Sequence, residues 1–275
     1  MIVIAHLSDL HIDVAESQAV HGETRSVRRT RAVMDHLDGL PYDLDLVLVT
    51  GDIADHGSPP EYEQARLLLT SRHPVVACPG NHDERAAFRR HLLRQPTSRA
   101  PLNQVHRTER YVIAVCDSSI PGRDEGHLAA ETMDWLEEVL ARTPTNLPVL
   151  IAFHHPPVLL HIPFIDGIRQ FGTDRLAALT RRHPNIVAFL CGHAHTAATT
   201  TFAGRPLLVA PGVVSSLRLP WEPRSHPRDH VHLGRPPALA FHVLDDEGRL
   251  TTHVRSIADS CSAQHQPDGP EQWKN

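Results

Sequence analysis

The residues best suited to chemistry stand at the ends of apolar runs, and Cys78-Pro-Gly-Asn-His-Asp83 is the sharpest case. The apolar run 74–78 stops at Pro79-Gly80, and an amide, an imidazole and a carboxylate follow consecutively as Asn81, His82 and Asp83. A helix-like pattern over 84–93 begins at once. Three polar side chains thus occupy a tight strand-to-helix turn, where α/β proteins place their chemistry. Gly80 permits a bend that a side chain would obstruct. Alone, the stretch reads equally well as a polar loop with a helix cap. Four further apolar runs tip the balance. Asp9 and His11 follow the run 1–7, and Asp52 follows 45–50. His154 and His155 follow 148–153, and His193 and His195 follow 185–191. Carboxylate, amide and imidazole without thiolate suit Mn, Fe or Zn, and do not suit a structural zinc. Seven ligands drawn from these residues would be too many for one ion and would suit two ions that share a carboxylate.

The elements that must position these groups alternate. Strands are expected over 1–7, 45–50, 74–78, 110–116, 148–153 and 185–191. Helices are expected over 27–37, 60–73, 84–93, 129–141 and 173–183, the last capped by Thr173. In a wound sheet, parallel strands bring their C-terminal ends to one edge, so the clusters converge. Asp9 and His11, two apart, would point to one side of an extended backbone. Beyond residue 195 the pattern changes to two hairpins, 199–210 and 238–257, separated by an irregular loop, 219–237. No composition shift marks a boundary. One domain over 1–258 with a polar tail, 259–275, is the expectation.

Composition bounds the function. The chain has 275 residues, 27 Lys+Arg against 32 Asp+Glu, and a net charge of -5. That balance argues against polymeric nucleic acid or an anionic membrane as partner. Hydrophobic residues, 41% of the chain, are enough for a sizeable core. None of the four cysteines, Cys78, Cys116, Cys191 and Cys261, forms a C-x-x-C pair. The first residues read as a strand and not as a signal peptide, because no basic segment precedes them and Asp9 breaks the apolar run. No run approaches the roughly 20 apolar residues of a membrane helix. A cytoplasmic location is the default expectation.

Asp9-Leu-His11, Gly51-Asp52, Gly80-Asn-His-Asp83, His154-His-Pro156 and Gly192-His-Ala-His195, in this order, resemble the five motifs of the calcineurin-like metallophosphoesterases. Within that superfamily the chain is most similar to the class III cyclic-nucleotide phosphodiesterases. Gly51-Asp-Ile-Ala-Asp-His-Gly57, Asp117-Ser-Ser-Ile-Pro-Gly122, Gly126-His127 and His154-His-Pro-Pro157 carry that closer likeness. Neighbouring branches fit worse. The phosphoprotein phosphatases have Asp-Arg-Gly where this chain has Asp55-His-Gly57, and the purple acid phosphatases have a ligand tyrosine where it has Asp55.

The resemblance implies a four-layer α/β/β/α sandwich of two mixed sheets flanked by helices. It implies that Asp9, His11, Asp52 and His195 hold one ion, and Asp52, Asn81, His154 and His193 the other. Fe or Mn would be the metals, with Zn or Co allowed. His155 reads as an orienting residue. His82 would face the substrate, with Asn81 and His195 also reaching it, and His82 and Asp52 would be catalytic. The implied reaction is attack of a metal-bridging hydroxide on a small phosphodiester such as 3',5'-cAMP, the ions lying roughly 3.5–4 Å apart. A phosphomonoesterase or nucleotidase is the alternative. A non-catalytic interaction platform is the second, although such members lose ligands and none is missing here. A homodimer is compatible with the resemblance. Asp117 reads as structural, and Asp83 as an orienter of a ring or a helix cap. His127, His161, Arg123, His226, His230 and His232 read as loop residues. Ser215-Ser216 lacks the Gly-x-Ser-x-Gly setting of a nucleophile.

Overall fold

The structure, a computed structural model, describes residues 1–15, 23–223, 226 and 230–258. The polar tail and part of the 219–237 loop lie outside the described residues. In chain order the elements are β1 (Ile2–Leu7), α1 (Arg25–Asp38), β2 (Leu46–Thr50), α2 (Pro59–Leu68), β3 (Val75–Cys78) and α3 (Arg85–Ala87), which runs into a π turn (Phe88–Leu92). Then follow β4 (Gln104–Arg107), β5 (Val112–Val115), β6 (Gly126–His127), α4 (Ala130–Ala141), β7 (Val149–Ala152), α5 (Pro163–Gly167) and β8 (Gln170–Phe171). The chain continues through α6 (Asp174–Arg182), β9 (Ile186–Cys191), β10 (Ala198–Phe202), β11 (Arg205–Val209), β12 (Ser216–Leu217), β13 (Val231–His232), β14 (Ala238–Leu244) and β15 (Leu250–Ser256).

Two mixed sheets result, ordered β15-β14-β1-β2-β3 and β10-β11-β9-β7-β5-β4. In the first, β1, β2 and β3 run parallel and β14 joins β1 antiparallel. In the second, β5, β7, β9 and β11 run parallel, with β4 and β10 as antiparallel edges. Side-chain alternation sorts the core into three apolar zones. Ile2, Ile4, Leu46 and Leu48 of the first sheet meet Ile113, Val115, Leu150 and Leu190 of the second. Ala5, Leu7, Val47 and Val49 point the other way, under Val33 and Leu37 of α1 and Tyr62 and Ala65 of α2. Ala114, Ile151 and Phe189 pack under Met133 and Leu136 of α4 and Leu176 and Leu179 of α6. The architecture is therefore the expected α/β/β/α sandwich. Among the described residues no helix is long and apolar enough to cross a membrane.

Several local expectations need correction. Asp9 and His11 do not lie on extended backbone, since β1 ends at Leu7 and both residues have left-handed φ, 57° and 42°. The helix expected to reach residue 73 stops at Leu68, because Arg72 turns toward α1 and donates to the carbonyls of Asp38 and Leu40. The 84–93 helix tightens and then widens, with Leu93 N bonded to Phe88 O at 3.1 Å. Thr173 makes no side-chain cap bond. The edge strand β4, the short α5 and the two-stranded ribbons β6–β8 and β12–β13 carry no long apolar run, so periodicity does not announce them.

Candidate metal centre

The parallel strands β1, β2 and β3 of one sheet and β7 and β9 of the other end at a common edge. The loops leaving them are laced together: Asp9 N donates to Gly51 O (3.1 Å), His11 N to Asp52 O (2.8 Å) and Gly192 N to His154 O (2.9 Å). Asp83 locks two of these loops, its carboxylate accepting from Ile53 N, Ala54 N, Gly80 N and the Tyr62 hydroxyl. Burial and the nearby Asp52 charge push that carboxyl up to about 6. Backbone approach is close. A Cβ at Gly80 would fall 2.1 Å from Asp52 Oδ1, and one at Gly51 2.4 Å from His154 Nδ1. Bare glycine backbone is what lets these groups meet.

The donor atoms of Asp9, His11, Asp52 and His195 all lie within 4.8 Å of one another. Each ring has one nitrogen committed elsewhere. His11 Nδ1 donates to Asp55 Oδ1 (2.9 Å), and His195 Nδ1 meets Ser215 Oγ (2.7 Å). The Nε2 atoms of His11 and His195 then face each other at 3.2 Å. Only a shared proton or a cation reconciles two such nitrogens. On the other side, His154 Nδ1 donates to Thr50 O (2.6 Å), leaving its Nε2 3.2 Å from His193 Nδ1. Asp52 Oδ2 joins the two sides, 3.5 Å from His11 Nε2 and 3.3 Å from His154 Nε2. Donors ~2.1 Å from a common cation take spacings of this size. Three buried atoms complete the picture: Asp9 Oδ2, Asn81 Oδ1 and His193 Nε2 have no hydrogen-bond partner. Unpaired buried polar atoms are costly, and a bound cation would satisfy the oxygens. The donor set fits metal.

Electrostatics agree in direction. Burial opposes charge on His154, yet Asp52 and Asp9 outweigh it and raise its pKa to about 9. Burial likewise opposes charge on Asp52, but His154, His11 and His82 hold it well below the usual carboxylate range. His193 and His195 are lowered, chiefly by burial. Five residues here, Asp9, His11, Asp52, His193 and His195, have positive φ without being glycine. Such conformations cost of order 1–3 kcal/mol each and gather at functional sites.

His155 also lies beside His154 and His193. Both of its nitrogens are taken, Nδ1 by Ser118 Oγ (2.8 Å) and Nε2 by Asp124 O (3.2 Å), so it has none to offer. His82 differs from the buried rings. Its side chain is 40% exposed, its ring stands edge-on to His11, and its Nδ1 donates to Asp55 O (2.8 Å), which leaves Nε2 for the solvent side. His82 N also donates to Asp52 Oδ1 (3.0 Å), which anchors the turn carrying Asn81. An open cleft of about 290 Å³ lies against His11, His82 and His195, with Asp13, Arg25 and Leu233 on its rim. Asp117 is structural, bound by Arg85 Nε (2.7 Å) and Leu102 N (2.8 Å). His230 stacks on Phe164 and joins no donor cluster among the described residues. Ser215 and the Thr50 carbonyl, which orient His195 and His154, stand in no sequence motif. The only signal for either is proximity in space.

A sequence model of the calcineurin-like phosphoesterases matches residues 2–197. The chain is 32% identical over 217 residues to a glycerophosphodiester phosphodiesterase from Enterobacter lignolyticus, covering 77% of each chain. It is 33% identical over 217 residues to a cAMP/cGMP dual specificity phosphodiesterase from Mycobacterium tuberculosis, covering 76% of this chain and 66% of that one. In fold it resembles a dimetal phosphatase from Danio rerio, with a TM-score of 0.65 at 16% identity, over 94% of this chain and 99% of that one.

Proposed function

The chain belongs to the calcineurin-like phosphoesterase family, and from that premise we propose that it hydrolyses small phosphodiesters, cyclic nucleotides foremost, at a two-metal centre. It is a metal-dependent phosphodiesterase. The observation that carries the two-metal reading is Asp52 Oδ2, a buried carboxylate oxygen shared between His11 and His154. Asp9, His11, Asp52 and His195 would hold one ion, and Asp52, Asn81, His154 and His193 the other. Fe or Mn suits this oxygen and nitrogen set, with Zn or Co as substitutes. When bound, the pair of cations would neutralise phosphoryl charge and acidify a water.

The protein's own groups do the rest. Asp55 and Thr50 fix the rings of His11 and His154 through their Nδ1 atoms, so that each Nε2 is aimed at the centre. His82 stands on the open side of the cleft with its Nδ1 proton held by Asp55 O. As the imidazolium, protonated at both nitrogens, it would meet the phosphodiester through Nε2 and give that proton to the departing alkoxide, leaving the neutral ring with its Nδ1 proton on Asp55 O. Asn81 and His195 flank the same phosphoryl group. Names of relatives support both cyclic nucleotides and glycerophosphodiesters as substrate classes, and the cleft admits a small ester. We read 1–258 as one domain. Free, buried thiols at Cys78, Cys116 and Cys191 fit a reducing compartment such as the cytoplasm.

The test compares bis(p-nitrophenyl) phosphate, its monoester, 3',5'-cAMP and a glycerophosphodiester after Mn²⁺ reconstitution, with Asp52→Asn as control. We expect diesters to be preferred, and Asp52→Asn to lose activity together with at least one Mn²⁺ equivalent while staying folded. Preference for the monoester would make the protein a phosphatase. No hydrolysis of any ester by a metal-loaded wild type would make it a binding platform. Full metal content in Asp52→Asn would remove the shared carboxylate from the reading.

A further inference from the structure

After β11 the chain doubles back past the metal centre. Val213 N donates to Ser8 O (3.0 Å) and Val214 N to Asp9 O (3.3 Å), so this segment lies along the loop that carries Asp9 and His11. Its other side is held by α1. Arg29, only 3% exposed, donates to Val214 O (2.7 Å) and Leu233 O (2.8 Å). Arg25, one turn earlier, donates to the same Leu233 carbonyl (2.6 Å). A buried guanidinium is expensive unless its donors are met. Here they meet carbonyls at both ends of one long connection, and the planar fork spans two acceptors at once.

The segment so held presents Ser215, itself buried, to His195, with Oγ 2.7 Å from Nδ1. Thr196, the next residue after His195, donates to Leu217 O (2.9 Å) and ties the same two stretches again. Among the rings aimed at the centre, His11 is oriented by a carboxylate from the loop after β2 and His154 by the carbonyl of Thr50 at the end of β2. His195 is oriented by neither. Its partner comes from beyond the last parallel strand, and that partner is fixed by a helix far away in sequence.

We propose that Ser215 is a positioning residue for His195, accepting its Nδ1 proton so that Nε2 faces Asp9 and His11, and that Arg29 holds Ser215 in place. This rests on the two-metal reading above. A hydroxyl can accept from Nδ1 whichever way its own proton turns. Without it, the imidazole can turn over or shift its proton to Nε2, and either change takes the lone pair away from a cation.

The experiment measures Mn²⁺ binding to metal-free protein by equilibrium dialysis, together with hydrolysis of bis(p-nitrophenyl) phosphate as Mn²⁺ is raised. Ser215→Ala should weaken one of the two Mn²⁺ sites by about 10–100-fold, the usual cost of losing a group that orients a ligand, and leave the other unchanged. Activity should return as Mn²⁺ is raised. Ser215→Thr, which keeps a hydroxyl, should restore wild-type affinity. Arg29→Lys, with one point donor in place of a fork, should weaken the same site while Ser215 is intact. Two sites of wild-type affinity in Ser215→Ala would overturn the proposal. So would a Ser215→Thr variant as weak as Ser215→Ala, since that would make the position a matter of packing. A wild type that binds fewer than two Mn²⁺ would overturn the two-metal reading and this proposal with it.

Discussion

His6 and His242 form a buried pair on the inner face of the first sheet, and His154 and His193 form another at that sandwich's edge. The two pairs are built on opposite terms. In the inner pair every ring nitrogen has a partner. His6 Nδ1 meets His242 Nε2 (2.9 Å), His6 Nε2 meets Thr50 Oγ1 (2.8 Å), and His242 Nδ1 meets Thr252 Oγ1 (2.9 Å). At the edge, polar atoms of Asp9, Asn81 and His193 are left unpaired, and five residues hold strained backbone. Thr50 touches both groups, its hydroxyl bonding His6 and its carbonyl bonding His154. A closed polar network is structure completed, whereas an open one at the same depth is structure waiting for a ligand. Substitutions in the open group should therefore cost activity, and those in the closed group should cost stability.

The largest effect belongs to His82, on the solvent side of the open group. His82→Ala should retain both metal ions, because its Nδ1 is bound to Asp55 O and its ring stands outside the buried donors. Acid–base help is typically worth 10²–10⁴-fold, so kcat for a cyclic nucleotide should fall by about that factor. The loss should be smaller for a nitrophenyl diester, whose leaving group departs without a proton. Equal losses for the two esters would make His82 a phosphate-binding group and not an acid.

A smaller effect tests the closed group. Burial lowers the pKa of His242 to about 3 and, with His242 beside it, lowers that of His6 well below its ordinary value. Both are neutral in the folded protein. Between pH 6.5 and 3 the unfolded chain takes up a proton at His242 that the folded chain refuses, so stability falls as pH falls through that window. One such group contributes a slope of up to about 1.4 kcal/mol per pH unit. His242→Gln keeps a donor and an acceptor but does not titrate. Urea unfolding at pH 7.5, 6 and 5 should show the wild type losing its advantage over the variant as the solution becomes more acid. A difference that does not change with pH would mean that the pair is not held neutral.

The sequence disclosed these two groups unequally, for physical reasons. Strand ends and their polar residues were legible because apolar runs stop abruptly and polar types cluster there. The sandwich followed from strand–helix alternation to residue 195 and the hairpins after it, together with the family likeness. Asp9 and His11 come together not along an extended backbone but because the chain turns left-handed after β1, a conformation in which Asp and His are enriched but which their types alone do not dictate. His6 and His242 looked like strand residues, since a satisfied buried imidazole has no local signature. Ser215 lacks a nucleophile's sequence setting, and its bond to His195 leaves no local signal, because it depends on a segment that only tertiary structure brings back.

The smallest predicted effect isolates strain in the open group from its chemistry. His195 has φ 50°, a region that a Cβ makes unfavourable and that glycine enters freely. His195→Ala and His195→Gly both remove the imidazole, its bond to Ser215 and its part in metal binding. They differ only in the backbone. At an ordinary position alanine is the more stable of the two, by roughly 0.5–1 kcal/mol within regular structure. Here the order should invert, with His195→Gly more stable than His195→Ala by about 1 kcal/mol in the metal-free protein. The urea midpoints of the two variants decide it. If alanine matches or exceeds glycine, the left-handed turn carries no strain, and the contrast between the two histidine groups reduces to hydrogen bonding alone.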